Sequence, residues 1–148
     1  MYKILVCGSR DIKDQEFVFK KLDFLLSNKD LSSVVLIHGD QKSFDRHLEM
    51  NFGADYFAKL WALLKGVKQI PFPAPWEGLE DTPKKLLKKN KTGNMYWPGA
   101  GMYRNKQMAN EDLDACVAFL GRNSKNVGTL NMLKLVKDKD IIIKKYYI

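Results

Sequence analysis

A chain of 148 residues, 45% hydrophobic and 28% charged, has the size and balance of one globular domain and can bury about two-thirds of its unfolded surface. Its apolar runs fall far short of the roughly 20 residues that cross a bilayer, which excludes a membrane-spanning helix and argues against a membrane partner. Twenty-five basic against 17 acidic residues give a net charge of +8, which favours anionic partners: nucleotides, nucleic acid or acidic proteins.

The chain opens on Lys3-Ile4-Leu5-Val6-Cys7-Gly8-Ser9-Arg10. The unbroken apolar run Ile4 to Cys7 is too short for a helix and predicts a strand buried on both faces, as in a parallel sheet. A strand this early leaves no space for a signal peptide, so the expected location is cytoplasmic. Gly8 lets the chain turn and lets a ligand approach the backbone. Ser9 adds a hydroxyl, and Arg10 adds a planar cation suited to phosphate or carboxylate. Ligands of open α/β sheets collect at the carboxyl ends of central strands, so this loop is expected to form one wall of a site.

Asp11 or Asp14 then caps a helix running to about Asn28, with Val18, Leu22 and Leu25 at helical spacing and Phe19 and Leu26 one position round. Val34 to Ile37 is a second buried strand, ending in His38-Gly39-Asp40. His38 reads as a base, a ligand contact or, more simply, a hydrogen-bonded structural histidine. Gln41 to Phe52 is a loop or an extra helical turn. After Gly53-Ala54-Asp55, residues Phe57, Leu60, Trp61 and Leu64 follow an i, i+3, i+4, i+7 pattern that predicts an amphipathic helix closed by Gly66. Its amino end favours an anion; Asp55 either caps it or reaches a ribose hydroxyl, and Trp61 is core. Val67 to Phe72 reads as a third strand, stopped by Pro71, Pro73 and Pro75. Trp76 follows in a turn, placed to stack on a base or to pack over the sheet end.

Glu77 to Pro98 reads as a short basic helix and an aromatic loop. Lys84, Lys85, Lys88, Lys89 and Lys91 surround Leu86 and Leu87, and Asn94-Met95-Tyr96-Trp97 comes next. A solvated lysine face explains this most simply; a flap over a site, or a surface for a phosphate-bearing chain, is the sharper reading. Gly99 to Asn105 leads into a helix ending near Glu111, with Arg104 and Asn105 in its first turn and facing the carboxyl edge of the sheet. Leu113 to Leu120 is a fourth strand, ending at Gly121. Cys7 and Cys116 sit in buried strands as small hydrophobes, and with His38 and His47 they make neither a disulfide framework nor a metal site. The loop Arg122 to Val127 reaches Gly128-Thr129, a second phosphate-ready helix start, ahead of Leu130, Leu133 and Val136. Ile141 to Ile143, extended by Lys144 to Ile148, is the fifth strand. Such alternation predicts a doubly wound parallel sheet with Ser9, Arg10, Asp40, Asp55, Arg104, Asn105 and Thr129 at one edge.

Taken in order, these pieces resemble the SLOG superfamily and, within it, the YspA-type, cpYpsA-related family of small nucleotide-binding Rossmann-like domains. The resemblance rests on Gly8-Ser9-Arg10, His38-Gly39-Asp40, Gly53-Ala54-Asp55 with Ala58 and Trp61-Ala62, and Phe72 to Trp76. It continues through Gly99 to Met108, with Arg104-Asn105-xx-Met108, and Ala118 to Gly121 with Gly128-Thr129. It implies a single α/β domain over residues 1–148, with a five-stranded sheet ordered 3-2-1-4-5, helices on both faces and a pocket for a nucleotide or nucleotide-derived ligand, ADP-ribose-like ligands included. No other cofactor is implied. Gly8, Ser9 and Arg10 would line that pocket beside His38, Gly39, Asp40 and Trp76. Gly53 and Asp55 would frame one phosphate-binding helix start, and Arg104 and Asn105 would face the ligand. Gly121, Gly128 and Thr129 would form a second phosphate loop. Segments 41–52 and 77–98 are longer than in relatives and read as insertions beside the pocket.

The chain is more distantly similar to the Lonely-Guy phosphoribohydrolases, whose glycine-threonine loop leads into glutamates that assist departure of the base. Here that stretch is Gly128-Thr129-Leu130-Asn131-Met132, and Asn131 and Met132 carry no negative charge. Arg104 resembles the active-site arginine of that branch, and Asp40 and Asp55 are the candidates left for acid–base work. Three functions are therefore expected, in order. The first is sensing or sequestration of a nucleotide-like small molecule. The second is hydrolysis or transfer at a nucleotide N-glycosidic bond through Arg104 with Asp40 or Asp55. The third is binding of single-stranded nucleic acid through Lys84–Lys91 and Tyr96-Trp97, since a SLOG-type domain occurs in a single-strand-DNA-binding recombination mediator. A homo-oligomer is compatible with each.

Overall fold

The computed structural model describes residues 1–148. Its elements in chain order are β1 (Tyr2–Gly8), α1 (Gln15–Leu25), β2 (Val34–His38), β3 (Ser43–Asp45), β4 (Met50–Phe52), α2 (Ala54–Lys65) and β5 (Lys68–Pro71). Then come β6 (Lys88–Lys89), β7 (Met95–Tyr96), α3 (Ala100–Ala109), β8 (Ala115–Leu120), α4 (Val127–Val136) and β9 (Ile142–Tyr147). Five strands form one parallel sheet in the order β5-β2-β1-β8-β9. Counted along the chain, the sheet strands run 3-2-1-4-5, the doubly wound Rossmann-like α/β arrangement expected. No helix is long and apolar enough to cross a membrane.

Strand burial follows position in the sheet. Ile4 to Cys7 and the whole of β2 and β8 are buried, whereas the edge strands β5 and β9 are partly exposed. Alternate residues point to opposite faces, and each face has its own core. Ile4, Val6, Leu36, Val117 and Phe119 pack against Val18 and Leu22 of α1 and Phe57, Ala58 and Trp61 of α2. Leu5, Cys7, Ile37, Cys116 and Ala118 pack against Met108 of α3 and Met132, Leu133 and Val136 of α4. The chain builds outward from β1 to β5 and then returns to the far side of β1 for β8. The winding therefore reverses between β1 and β8, where doubly wound sheets open a crevice.

Local chemistry explains most boundaries. The Asp14 carboxylate caps α1 by accepting from the Phe17 N–H at 3.0 Å, and α1 stops at Leu25 instead of near Asn28. Gly66, at φ 69°, takes the left-handed position that closes α2. Two helices are rotated relative to their apolar spacing. Alanines 58 and 62 let α2 approach the sheet closely, so they are buried with Phe57 and Trp61 while Leu64 is 67% exposed. In α4, Leu130 is 51% exposed and Met132 is sealed instead.

Both segments read as insertions fold differently from expectation. Residues 41–52 form neither a loop nor a helical turn but an antiparallel hairpin of β3 and β4. Its turn is set by Asp45, whose carboxylate accepts from the His47 and Leu48 N–H groups at 2.9 and 3.1 Å. Residues 77–98 contain no basic helix. Lys84–Leu86 makes a single 3₁₀ turn, and β6 and β7 pair as a short hairpin closed around Asn90 and Gly93 at φ 84°. Five lysines within eight residues oppose a helix by mutual repulsion, while an asparagine and a positive-φ glycine favour the tight turn.

Candidate functional site

The carboxyl ends of β1 and β8 meet the starts of α2, α3 and α4 above the reversal point. Gly8 makes the approach possible: a Cβ there would lie 2.5 Å from both Ala54 Cβ and the Phe119 carbonyl. Gly53, at φ 113°, brings the start of α2 under the β1–α1 loop; its N–H donates to Ile12 O at 2.9 Å and that of Ala54 to Ser9 O at 3.2 Å. Ser9 ties this loop to the one after β8. Its hydroxyl accepts from the Asp11 N–H at 3.0 Å and donates to Ser124 Oγ at 3.3 Å, and Ser124 donates to Asp11 Oδ2 at 2.9 Å.

The β8–α4 loop is held by Asn126, itself at φ 55°. The side chain of Asn126 accepts from the Gly121 N–H at 3.0 Å and donates to the carbonyls of Gly121 and Ser124 at 2.9 and 3.0 Å. The helix that follows has no side-chain cap, and the N–H groups of Val127, Gly128 and Thr129 have no protein acceptor. Free N–H groups at the positive end of a helix dipole suit an anion.

Between these loops lies a cavity of about 560 Å³. Ser9, Arg10, Asp55, Arg104, Asn105 and Thr129 give its wall polar groups, Lys125 adds a cation, and Met102, Met108 and Met132 supply an apolar, adaptable surface. Arg104 is held from below. Its Nε donates to Asn105 Oδ1 at 3.0 Å, and its Nη1 donates to Phe72 O at 3.2 Å and to Gly39 O, leaving Nη2 without a protein acceptor. Asn105 is a brace, donating to Gly128 O at 3.1 Å and to Asn131 Oδ1 at 2.9 Å, which fixes α3 against the start of α4. Asp55 accepts only from the Gln41 N–H, at 3.3 Å. Burial raises its carboxyl above the usual range, against the opposing pull of the Arg104 guanidinium. Burial likewise lowers Arg104 from its ordinary value, while Asp55 works to hold it up.

Nine of the residues singled out from the sequence converge on this cavity: Gly8, Ser9, Arg10, Asp55, Trp76, Arg104, Asn105, Gly128 and Thr129. Arg104 and Asn105 reach it from the second turn of α3, one turn later than expected. Five others stand behind the wall. His38 is fully buried; its Nδ1 accepts from the Asp40 N–H at 3.0 Å, so Nε2 carries the proton that meets Gln69 Oε1 at 2.5 Å. Asp40 is 3.7 Å from Lys59 Nζ. Gly39 supports Arg104, and a Cβ on it would lie 2.8 Å from both Arg104 Cζ and Asp55 Oδ2. Gly53 and Gly121 shape the two loops. Sequence reasoning missed Gln41, Ser124, Lys125, Asn126 and the methionines. The polar loop after β8 was a usable signal for Ser124 to Asn126, since it leaves the strand next to β1. The lysines at 84, 85, 88, 89 and 91 are exposed, and none is in a salt bridge.

A family model described as YAcAr, the YspA, cpYpsA-related SLOG family, matches residues 2–78, a little over half of the chain. No curated protein and no solved structure gives a significant match.

Proposed function

The chain belongs to the YspA, cpYpsA-related SLOG family, and from that premise we propose that it binds a nucleotide or nucleotide-derived ligand at the carboxyl edge of its sheet, as a sensor or a sequestering protein. The observation that carries this reading is the uncapped start of α4 opening into the cavity. Phosphate oxygens there would meet the N–H groups of Val127, Gly128 and Thr129, with Arg10 and Lys125 supplying charge. Nη2 of Arg104 is left for a phosphate or a sugar oxygen. Asp55 lies across from it as an acceptor for a ribose hydroxyl, and the methionines adapt to the base. Calorimetry with AMP, ADP, cyclic AMP, ADP-ribose and NAD tests the proposal. Binding of at least one, weakened by raised salt, is expected; no binding to any of them overturns it.

A second reading has one specific observation in its favour. Of the two carboxylates considered for acid–base work, Asp55 lines the cavity with a raised pKa, whereas Asp40 lies behind the wall beside Lys59. A carboxyl of that kind can protonate a departing base in N-glycosidic cleavage. Asn131 has no charge to help, and its Oδ1 is occupied by Asn105. Release of adenine from AMP that is lost in Asp55→Asn would favour this reading; no release by the wild-type protein rejects it.

A further inference from the structure

Arg10 and Trp76 belong to two cavities at once. Beyond the 560 Å³ cavity lies a second, of about 290 Å³, walled by Arg10, Trp76, Asn90 and Tyr96. Arg10 stands over the Trp76 indole, Cζ 5.3 Å from the ring centroid, so the pair forms the partition between the two. Asn90 and Tyr96 come from the short hairpin of β6 and β7 within residues 77–98. The second cavity is thus walled in part by the β6–β7 hairpin.

The chemistry of the hairpin is directional. Asn90 Oδ1 accepts from the Thr92 N–H at 3.0 Å, the Thr92 hydroxyl at 2.7 Å and the Asn94 N–H at 3.0 Å. Three bonds on the oxygen fix which way the amide faces, and its Nδ2 has no protein acceptor. Asn90 lines the cavity beside two aromatic residues, Trp76 and Tyr96, and its two Nδ2 protons are left for an acceptor from outside the protein. Lys88 pairs directly opposite Tyr96 across the hairpin, which puts a cation on the same side as that ring.

We propose that the second cavity is a subsite for a planar ring carried beyond the phosphate of the bound nucleotide, making the preferred ligand a dinucleotide. The inference rests on the nucleotide-binding reading above. The first nucleoside occupies the larger cavity, the linking phosphates pass Arg10, and the second ring lies against Trp76 and Tyr96. An acceptor on the edge of that ring, a carbonyl oxygen or a ring nitrogen, takes the Asn90 Nδ2 protons. Stacking is indifferent to which ring is present, so Asn90 supplies the selectivity.

The test is a ratio of affinities. Calorimetry of wild-type protein with AMP and with the dinucleotide NAD is expected to show NAD bound about tenfold or more tightly, the scale of one stacked ring. Tyr96→Leu and Asn90→Asp should each bring that ratio close to one. The aspartate can keep the three acceptor bonds that shape the turn, so the hairpin survives while the donors are replaced by a carboxylate. Equal affinities in the wild-type protein, or a ratio untouched by both variants, overturn the subsite while leaving nucleotide binding standing. Failure of both ligands to bind removes the underlying reading and the subsite together. An oligothymidylate that outcompetes NAD, and loses that advantage in Tyr96→Leu, assigns the rings to single-stranded nucleic acid and overturns the dinucleotide.

Discussion

On the face of the sheet under α1 and α2, Leu22, Phe57 and Trp61 close against Val6, Val117 and Phe119, and the one polar group of the indole reaches outward to Asp23 at 2.9 Å. At the same depth under α3 and α4 lie Arg104, Asn105 and Thr129, beside Met108, Met132 and two cysteines. The first face uses large rigid side chains, which gain most from burial and tolerate loss least. The second accepts buried polar groups that each need a partner, and fills the remaining space with flexible side chains. Large rigid packing is therefore concentrated under α1 and α2, whereas the polar groups of the candidate site come mostly from α3 and α4, with Asp55 at the start of α2 the exception. The Cys7 thiol illustrates the second side: its contact with Cys116 and its burial both raise its pKa, which keeps it protonated and inert.

Substitutions that act on one face only would sharpen this division. Trp61→Ala should produce the largest effect, a loss of about 3–5 kcal/mol in urea denaturation, with nucleotide affinity of the folded protein unchanged. A small stability loss there, or a large change in affinity, would break the comparison. Arg104→Met should cost about 1–3 kcal/mol, because the Gly39 and Phe72 carbonyls lose their donor, and should weaken nucleotide binding about tenfold. Asn126→Gly keeps the positive φ but releases three hydrogen bonds, and is expected to cost about 1–2 kcal/mol. Calorimetry on that variant should also show weaker phosphate binding, since the loop no longer presents the start of α4.

The smallest effect is a dependence on pH. Burial raises Asp55 above its unfolded value of about 3.9, so in the interval between the two values the folded state binds more protons than the unfolded state. Stability referred to that carboxyl is therefore present at low pH and lost as pH rises through the raised value. Thermal melts at a series of pH values should show wild-type protein gaining on Asp55→Asn as pH falls through the raised value, with the gap constant below the unfolded value. A difference that runs the other way would mean that Arg104 outweighs desolvation at this site.

The sheet was legible because central parallel strands are apolar on both sides: Ile4–Cys7 and Val34–Ile37 have no competing reading as surface. Strand order came through family resemblance, which no periodicity supplies. The rotation of α2 and α4 was hidden, because Ala58 and Ala62 look neutral in a hydrophobic pattern yet decide how closely a helix approaches. The two hairpins were missed for a related reason. Each depends on a single side chain, Asp45 or Asn90, folding back onto its own turn, and such bonds leave no repeat in the sequence. At the site, charged and glycine residues after strands were readable, whereas nothing in the sequence marked Met102, Met108 and Met132 as part of a cavity wall.

Trp76 has one further consequence. Of the three tryptophans, Trp61 is sealed at 1% exposure, while Trp76 forms the partition between the two cavities with a guanidinium over its ring. A ligand that displaces the Arg10 guanidinium from the ring would change the indole environment, and the emission is expected to register it. If a ligand enters as proposed, the Trp76 indole would act as a built-in optical reporter, and fluorescence would follow occupancy of the crevice without an attached dye.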